Sequence, residues 1–183
     1  MSTDARHANQ VLETAQCLYN EQQVEQAITG LAHSISQVLQ DKDPVVLCVM
    51  NGGLVLTGKL LTQLNFPLTV DYIHATRYGK QTQGGELQWL VKPHNSLDDQ
   101  TVLIVDDILD EGDTLAAVKK YCQEQGARQV LSVVLVEKQH NRNTTGTLAD
   151  FVALQVEDRY VFGYGMDYKG RLRNVDGIYA VTE

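Results

Sequence analysis

The chain has 183 residues, 43% hydrophobic and 21% charged, with 15 Lys+Arg against 23 Asp+Glu and a formal net charge of −8. That length suits one domain, residues 1–183, with a sizeable core. The acidic balance argues against a general nucleic-acid or membrane-surface binder, since both need a basic field. It leaves room for a small anion held by backbone N–H groups.

Cys17, Cys48 and Cys122 stand far apart with no paired spacing. They read as small buried hydrophobes in a reducing compartment, not as a metal or disulfide framework. The opening MSTDARHANQ lacks the apolar run of a secretory leader. No apolar stretch reaches the ~18 residues of a membrane span, so a cytoplasmic location is expected.

Residues from about Thr3 to Leu39 read as helical, a segment of roughly residues 1–40. Ser2, Thr3 and Asp4 offer N-caps, and Val11, Leu12, Ala15, Leu18 and Tyr19 recur at helical spacing. Val24, Ile28, Leu31, Ile35 and Leu39 continue the stripe after a break near Tyr19–Glu21. Past Pro44, Val45–Met50 is an apolar run that fits a strand buried on both faces. Asn51-Gly52-Gly53 then turns the chain into a helix from Leu54 to about Leu64.

Leu68–His74 alternates as a strand, Ala75–Glu86 is a polar, glycine-rich mobile loop or hairpin tip, and Leu87–Lys92 returns as its second strand. Thr101–Val105 is a further apolar strand, followed by an acidic turn and an amphipathic helix over Asp113–Gln125 that Gly126 ends. Val130–Val136 is another buried strand, and the tail adds Phe151–Leu154, Tyr160–Phe162 and Ile178–Val181. This alternation predicts an α/β fold with a mainly parallel central sheet flanked by helices. Ligands of such sheets bind at the carboxyl ends of the strands, which places the Asn51–Gly53 and Asp106–Thr114 turns side by side.

The segment Val102–Thr114 carries the most information. Two adjacent acids, Asp106 and Asp107, end a buried strand; Ile108 and Leu109 follow; then Asp110, Glu111, Gly112, Asp113 and Thr114 open a helix. Gly112 allows a tight turn, and the free N–H groups of a first helical turn form an anion site. Thr114 adds a hydroxyl donor, and the paired acids suit two vicinal ribose hydroxyls. An N-capped helix after an acid-rich solvent turn is the plain alternative.

Val105–Thr114 resembles the diphosphoribose-binding signature of the type I phosphoribosyltransferases. The tail Tyr160-Val161-Phe162-Gly163-Tyr164-Gly165-Met166-Asp167-Tyr168, with Arg171-Leu172-Arg173-Asn174 after it, narrows the resemblance to the bacterial hypoxanthine-guanine branch. The resemblance implies that fold, with a small hood built partly from the C-terminal tail and a mobile loop. It implies that Asp106 and Asp107 hold the ribose hydroxyls and that Asp110–Thr114 cradles the 5′-phosphate. Asp110 is then the general base or proton relay near purine N7, and Lys138 donates to the 6-oxo group. Tyr160 stacks on the base while the main chain of Val161 reads its edge. Asp167 coordinates Mg2+, with Asp106 and Asp107 as further candidates, and Arg173 contacts pyrophosphate. Asn51-Gly52 belongs to the pyrophosphate loop, whose peptide is often cis, and Arg77-Tyr78 to the mobile loop. The family also implies a homodimer or homotetramer acting on small-molecule substrates, a 6-oxopurine and 5-phosphoribosyl 1-diphosphate, without nucleic acid or membrane.

By themselves these residues leave plain structural roles open: a core aromatic for Tyr160, a solvated loop lysine for Lys138, an exposed turn acid and a surface cation for Asp167 and Arg173. His7, His33, His74, His94 and His140 form no spaced cluster and read as surface or satisfied-core residues. Some positions depart from the family pattern. Glu111 stands where a Ser or Thr often donates to the 5′-phosphate, so its carboxylate must point away or be offset. Asp113 adds a further negative charge that suits a helix start. Asn51 replaces a frequent Lys or Arg, and Arg77 stands where Ser often precedes Tyr, which would return positive charge to the diphosphate. Three other readings compete: a xanthine-preferring enzyme, an RNA-binding regulator on the same fold, which the net charge of −8 disfavours, and a catalytically silent nucleotide-binding module.

Overall fold

The computed structural model describes residues 2–77, 87–140, 142 and 145–182. In chain order the elements are α1 (Thr3–Thr14), β1 (Gln16–Tyr19), α2 (Glu21–Leu39), β2 (Val45–Met50), α3 (Leu54–Leu61), β3 (Thr69–Arg77) and β4 (Leu87–Val91). There follow β5 (Thr101–Leu109), α4 (Asp113–Glu124), β6 (Gln129–Gln139), β7 (Phe151–Glu157), β8 (Val161–Phe162) and β9 (Ile178–Ala180). The main sheet has the order β4-β3-β2-β5-β6-β7, parallel except for the β3–β4 pair. A smaller antiparallel sheet, β1-β9-β8, stands beside it.

The continuous apolar run of β2 is explained by its place between β3 and β5, with a core on each face. Val46 joins Leu103 and Val105 of β5 under α2 and α3, packed against Ile28, Ile35, Leu56 and Leu60. Val45, Leu47 and Val49 turn the other way, with Val102 and Ile104, toward Leu115, Val118 and Cys122 of α4. Strand alternation thus feeds both layers, and exclusion of these side chains from water is the main force that docks the helices.

Several boundaries differ from the sequence expectation. The supposed helical break near Tyr19–Glu21 is the strand β1, and Asn20 then caps α2 in a reciprocal capping box with Gln23, both bonds 3.0 Å. The period of Leu18 and Tyr19 suited a helix, but Gln16, Cys17 and Tyr19 pair with Ala180, Tyr179 and Ile178, a partner that local spacing cannot reveal. The strand β5 runs on to Leu109, so Asp106 and Asp107 lie within it and not beyond its end. Likewise Lys138 lies inside β6, paired with Val156, because β7 extends the ladder. Helix α3 stops at Leu61, short of Leu64. Cys48 and Cys122 are buried as expected, but Cys17 is exposed; all three thiols are free. No helix among the described residues is long and apolar enough to cross a membrane.

Asp71 of β3 is buried and acts as a hub. Its carboxylate accepts the backbone N–H groups of Tyr72, His94 and Asn95 at 2.7–2.8 Å and the Asn95 amide at 2.9 Å, which ties the segment after β4 to the sheet. Burial opposes its ionisation, but the N–H groups of Asn95, Tyr72 and His94 outweigh it and hold the carboxyl below the ordinary range. A group depressed in the folded state stabilises above its unfolded pKa, and that stability is lost as pH falls through the folded value. Asp71→Ala should therefore cost roughly 2–4 kcal/mol at neutral pH, a fall in Tm of about 5–10 °C. The Tm gap from the unsubstituted chain should narrow below about pH 4. A gap that stays constant from neutral pH into the acid range would contradict this role.

Candidate active site

The carboxyl ends of β2 and β5 are neighbours in the sheet, and glycines let the backbones there touch. A Cβ on Gly52 would stand 2.2 Å from Oδ2 of Asp107, and one on Gly53 would stand 2.4 Å from the Val105 carbonyl. From the tail, Gly165 at φ +108 comes so close that a Cβ would lie 2.2 Å from the Gly52 carbonyl. The turn after β2, the acidic end of β5 and the tail after β8 are thus packed main chain to main chain. The cis peptide in this turn is Met50–Asn51, one bond before the Asn51–Gly52 position expected from the sequence.

The tail reaches this point through a turn of three successive positive φ values, at Gly163, Tyr164 and Gly165. Tyr164 tolerates the left-handed conformation because its ring is buried and its hydroxyl donates to Glu25 of α2. Lys59 of α3 meets the same carboxylate at 2.5 Å. Lys59 and Tyr164 together hold the Glu25 carboxyl below its ordinary value. Two helices therefore fix the turn that presents Asp167.

A cleft of about 510 Å³ follows from this convergence. It is lined by Asn51 and Gly52, by Asp106, Asp107 and Asp110–Thr114, and by Asp167 and Arg173. Asp106 and Asp107 are 8% and 9% exposed, adjacent, and linked by a 2.9 Å bond from the Asp107 N–H to Oδ1 of Asp106. Burial pushes both carboxyls up, and the neighbouring charge of Asp107 pushes Asp106 furthest. Arg173 offsets this in part: its guanidinium lies 3.8 Å from Asp107, 2.5 Å from Asp167 and 2.6 Å from the Gly165 carbonyl that it donates to. Gly112, at φ +87, caps α4 without a side-chain acceptor, so the helix start faces the cleft as an anion-binding end. Glu111 lines the cleft too, its carboxylate 3.8 Å from the Arg142 guanidinium.

A smaller cavity of about 210 Å³ adjoins the cleft and shares Asp107, Ile108, Asp110 and Asp167 with it. Its other walls are Lys138, Tyr160, Val161 and Met166. Tyr160 is not a core aromatic: it is 51% exposed, with its ring edge-on to Tyr168 at 5.4 Å. Lys138 is not a solvated loop lysine either, being 12% exposed with Nζ 2.7 Å from Oδ2 of Asp110. Asp167 accepts from Arg173 on one oxygen and from the Gly170 N–H, at 2.6 Å, on the other. The sequence reading missed His140 and Arg142, both of which reach Oδ1 of Asp110, at 2.6 and 3.2 Å. The available signal was strand alternation, which sets position 140 on the same side as Lys138.

Arg77 was expected in a mobile loop but closes β3, which runs past His74 because Ala75–Arg77 pair with β4, its backbone against Leu87; Tyr78 lies outside the described residues. Among the described residues no group of three or more His, Cys, Asp or Glu side chains is arranged to hold a metal ion. A larger cavity, about 900 Å³, lies between α1 and Tyr168–Arg171. It contains none of the acid-strand residues, so size does not mark the site here; convergent polar groups do.

Comparison with known proteins agrees with this geometry. Residues 15–169 match the model of the phosphoribosyl transferase domain. The chain is 29% identical over 166 residues to the hypoxanthine-guanine-xanthine phosphoribosyltransferase of Tritrichomonas foetus, covering 91% of each chain. It is 29% identical over 159 residues to the hypoxanthine-guanine phosphoribosyltransferase of Bacillus subtilis, covering 86% of this chain and 88% of that one. A crystal structure of a hypoxanthine-guanine phosphoribosyltransferase from Bacillus anthracis superposes with a TM-score of 0.86 at 27% identity, over 91% of this chain and 98% of that chain. By fold, by sequence and by the residues gathered at the ends of β2 and β5, the chain belongs to the phosphoribosyl transferase domain family.

Proposed function

We propose that the chain is a purine salvage enzyme of the bacterial hypoxanthine-guanine branch. It moves the phosphoribosyl group of 5-phosphoribosyl 1-diphosphate to hypoxanthine or guanine, yielding IMP or GMP and pyrophosphate. One observation carries the reading: the acid-lined cleft opens into the Lys138–Tyr160 cavity through the shared residues Asp107, Ile108, Asp110 and Asp167. A sugar phosphate seated on the first faces a flat base seated in the second. The names of the relatives point the same way, and they lead with hypoxanthine and guanine, which favours these bases over a xanthine preference.

In this reading the N–H groups and hydroxyl of Gly112–Thr114 hold the 5′-phosphate, and Asp106 and Asp107 accept the ribose hydroxyls. The main chain of Asn51 and Gly52, with Arg173, receives pyrophosphate. Tyr160 stacks on the base, the Val161 main chain contacts its edge, and Lys138 donates to the 6-oxo group. N9 bonds to C1′ as the C1′–O bond breaks; its electron pair leaves with pyrophosphate, and the N7 proton passes to Asp110. The buried, mutually repelling Asp106–Asp107 pair and nearby Asp167 suit a divalent cation, and so few carboxylates beside substrate oxygens suit Mg2+. When bound, Mg2+ would neutralise charge on the leaving pyrophosphate. Association into dimers or tetramers fits the exposed apolar side chains of Leu54, Val70 and Tyr72 around a groove of about 520 Å³. A cytoplasmic location fits the three free thiols.

An absorbance assay with the donor, Mg2+ and a panel of hypoxanthine, guanine, xanthine, adenine and uracil should show turnover of the first two and loss of it with a chelator. Turnover of adenine or uracil alone would overturn the base assignment. Tyr160→Ala should raise KM for the base about tenfold, the worth of one stacking contact, with donor KM unchanged; equal effects on both substrates would remove Tyr160 from the base site. Glu111→Ser should lower donor KM several-fold at low ionic strength and less at high salt, because it removes a charge beside the phosphate. A rise in donor KM would show that Glu111 supports the loop instead.

A further inference from the structure

We propose that His140 is a positioning residue for Asp110: it fixes one carboxylate oxygen while the other changes partner as the base binds. The inference rests on the function proposed above, and His140 itself lies outside the motif residues. The His140 side chain is 5% exposed, and its Nε2 lies 2.6 Å from Oδ1 of Asp110. The other ring nitrogen, Nδ1, accepts the backbone N–H of Arg142 at 2.9 Å. An N–H donor facing Nδ1 requires a lone pair there, so the ring proton resides on Nε2 and is donated to Asp110. The tautomer is thus set by the main chain two residues further on.

The two oxygens of Asp110 are held in unlike ways. Oδ2 accepts only the Lys138 ammonium among the bonds described, at 2.7 Å, from a long side chain that can swing. Oδ1 accepts the His140 ring and, at 3.2 Å, the Arg142 guanidinium. Arg142 is itself anchored by Asp158 at the end of β7, with Nη2 2.8 Å from Oδ1 and a second, shorter contact. Its Nε lies 3.8 Å from Glu111. The charged groups around Asp110 are therefore Lys138 from β6, Arg142 and Asp158 from the β6–β7 end, and Glu111 beside it.

Lys138 is the one donor described on Oδ2, the oxygen that faces the cavity with it, so it competes there with the N7 proton for the carboxylate. Lys138 is the donor with somewhere to go, since the 6-oxo group of the base offers it an acceptor in the same cavity. Its departure frees Oδ2 toward N7 while His140 keeps Oδ1 in place. Without the ring, Oδ1 keeps only the longer, 3.2 Å contact to Arg142, and the carboxylate is held less firmly when Lys138 moves.

The test compares His140→Gln, whose Nε2 amide reaches the position of the ring Nε2–H, with His140→Asn, which is too short to do so. His140→Asn should lower kcat for guanine by roughly 10–100-fold with donor KM unchanged within about twofold, and His140→Gln should stay within about threefold of the unsubstituted enzyme. If Gln is as slow as Asn, or Asn as fast as the unsubstituted enzyme, the proposal falls. Nitrogen-15 NMR of the unsubstituted protein gives a readout independent of how the variants fold: Nε2 should carry the proton at neutral pH and Nδ1 should not, and a proton on Nδ1 overturns the proposal. An unsubstituted enzyme that turns over no 6-oxopurine defeats the proposed function and this inference together; normal turnover with unaffected His140 variants defeats this inference alone.

Discussion

The site depends on three backbones meeting where no side chain fits. Gly53 abuts the Val105 carbonyl and Gly165 abuts the Gly52 carbonyl, each closer than a Cβ would allow, while Gly52 leaves room for the Asp107 side chain. Main-chain contact of this kind fixes relative position more tightly than side-chain packing, because there are no rotamers to absorb a shift. It seats the tail on the sheet. The distance from Asp107 to Arg173, and from Arg173 to Asp167, follows from that seating. The Tyr164–Glu25–Lys59 cluster then braces the tail from behind, coupling it to α2 and α3.

The charge distribution follows the same plan. Asp106 and Asp107 are buried side by side and gain only partial relief from Arg173, which divides its donors among Asp107, Asp167 and the Gly165 carbonyl. Asp110 lies one turn of the chain away and is treated in the opposite manner: Lys138, His140 and Arg142 outweigh its desolvation and hold its carboxyl below the ordinary range. Three acids on one strand and turn thus have distinct proton affinities, set by their neighbours. In the function proposed above, hydroxyls, phosphate and a basic nitrogen meet different acids, and such a division suits that task.

Much of this was legible in the sequence because it is local. The apolar run Val45–Met50, the order of acids, aliphatics and glycine in Asp106–Thr114, and the glycine-rich tail each encode their structure within about ten residues. What was not legible depends on distant partners. Leu18 and Tyr19 carry a helical period yet pair with β9 near the far end of the chain. Asp106 and Lys138 were placed past their strand ends because the ladders that extend β5 and β6, to Val134 and Val156, come from other strands. His140 looked incidental among five histidines. Only the alternation it shares with Lys138 hinted otherwise, and its acceptor, Asp110, stands thirty residues earlier in the chain. The cis bond fell one peptide earlier than expected, at Met50–Asn51.

The small sheet has a consequence for how the protein is made. Val161, in the wall of the Lys138–Tyr160 cavity, sits on β8, which among the described residues pairs with β9; β9 in turn pairs with β1, from residues 16–19. A ribosome delivers β1 before the whole of the main sheet and β9 after it, so the first strand waits through that interval for its neighbour. The parallel sheet can assemble on a partial chain, whereas the strand that carries Val161 lacks its β9 neighbour until residues 178–180 emerge. The small sheet, which joins residues from opposite ends of the described fold, is therefore completed after the main one.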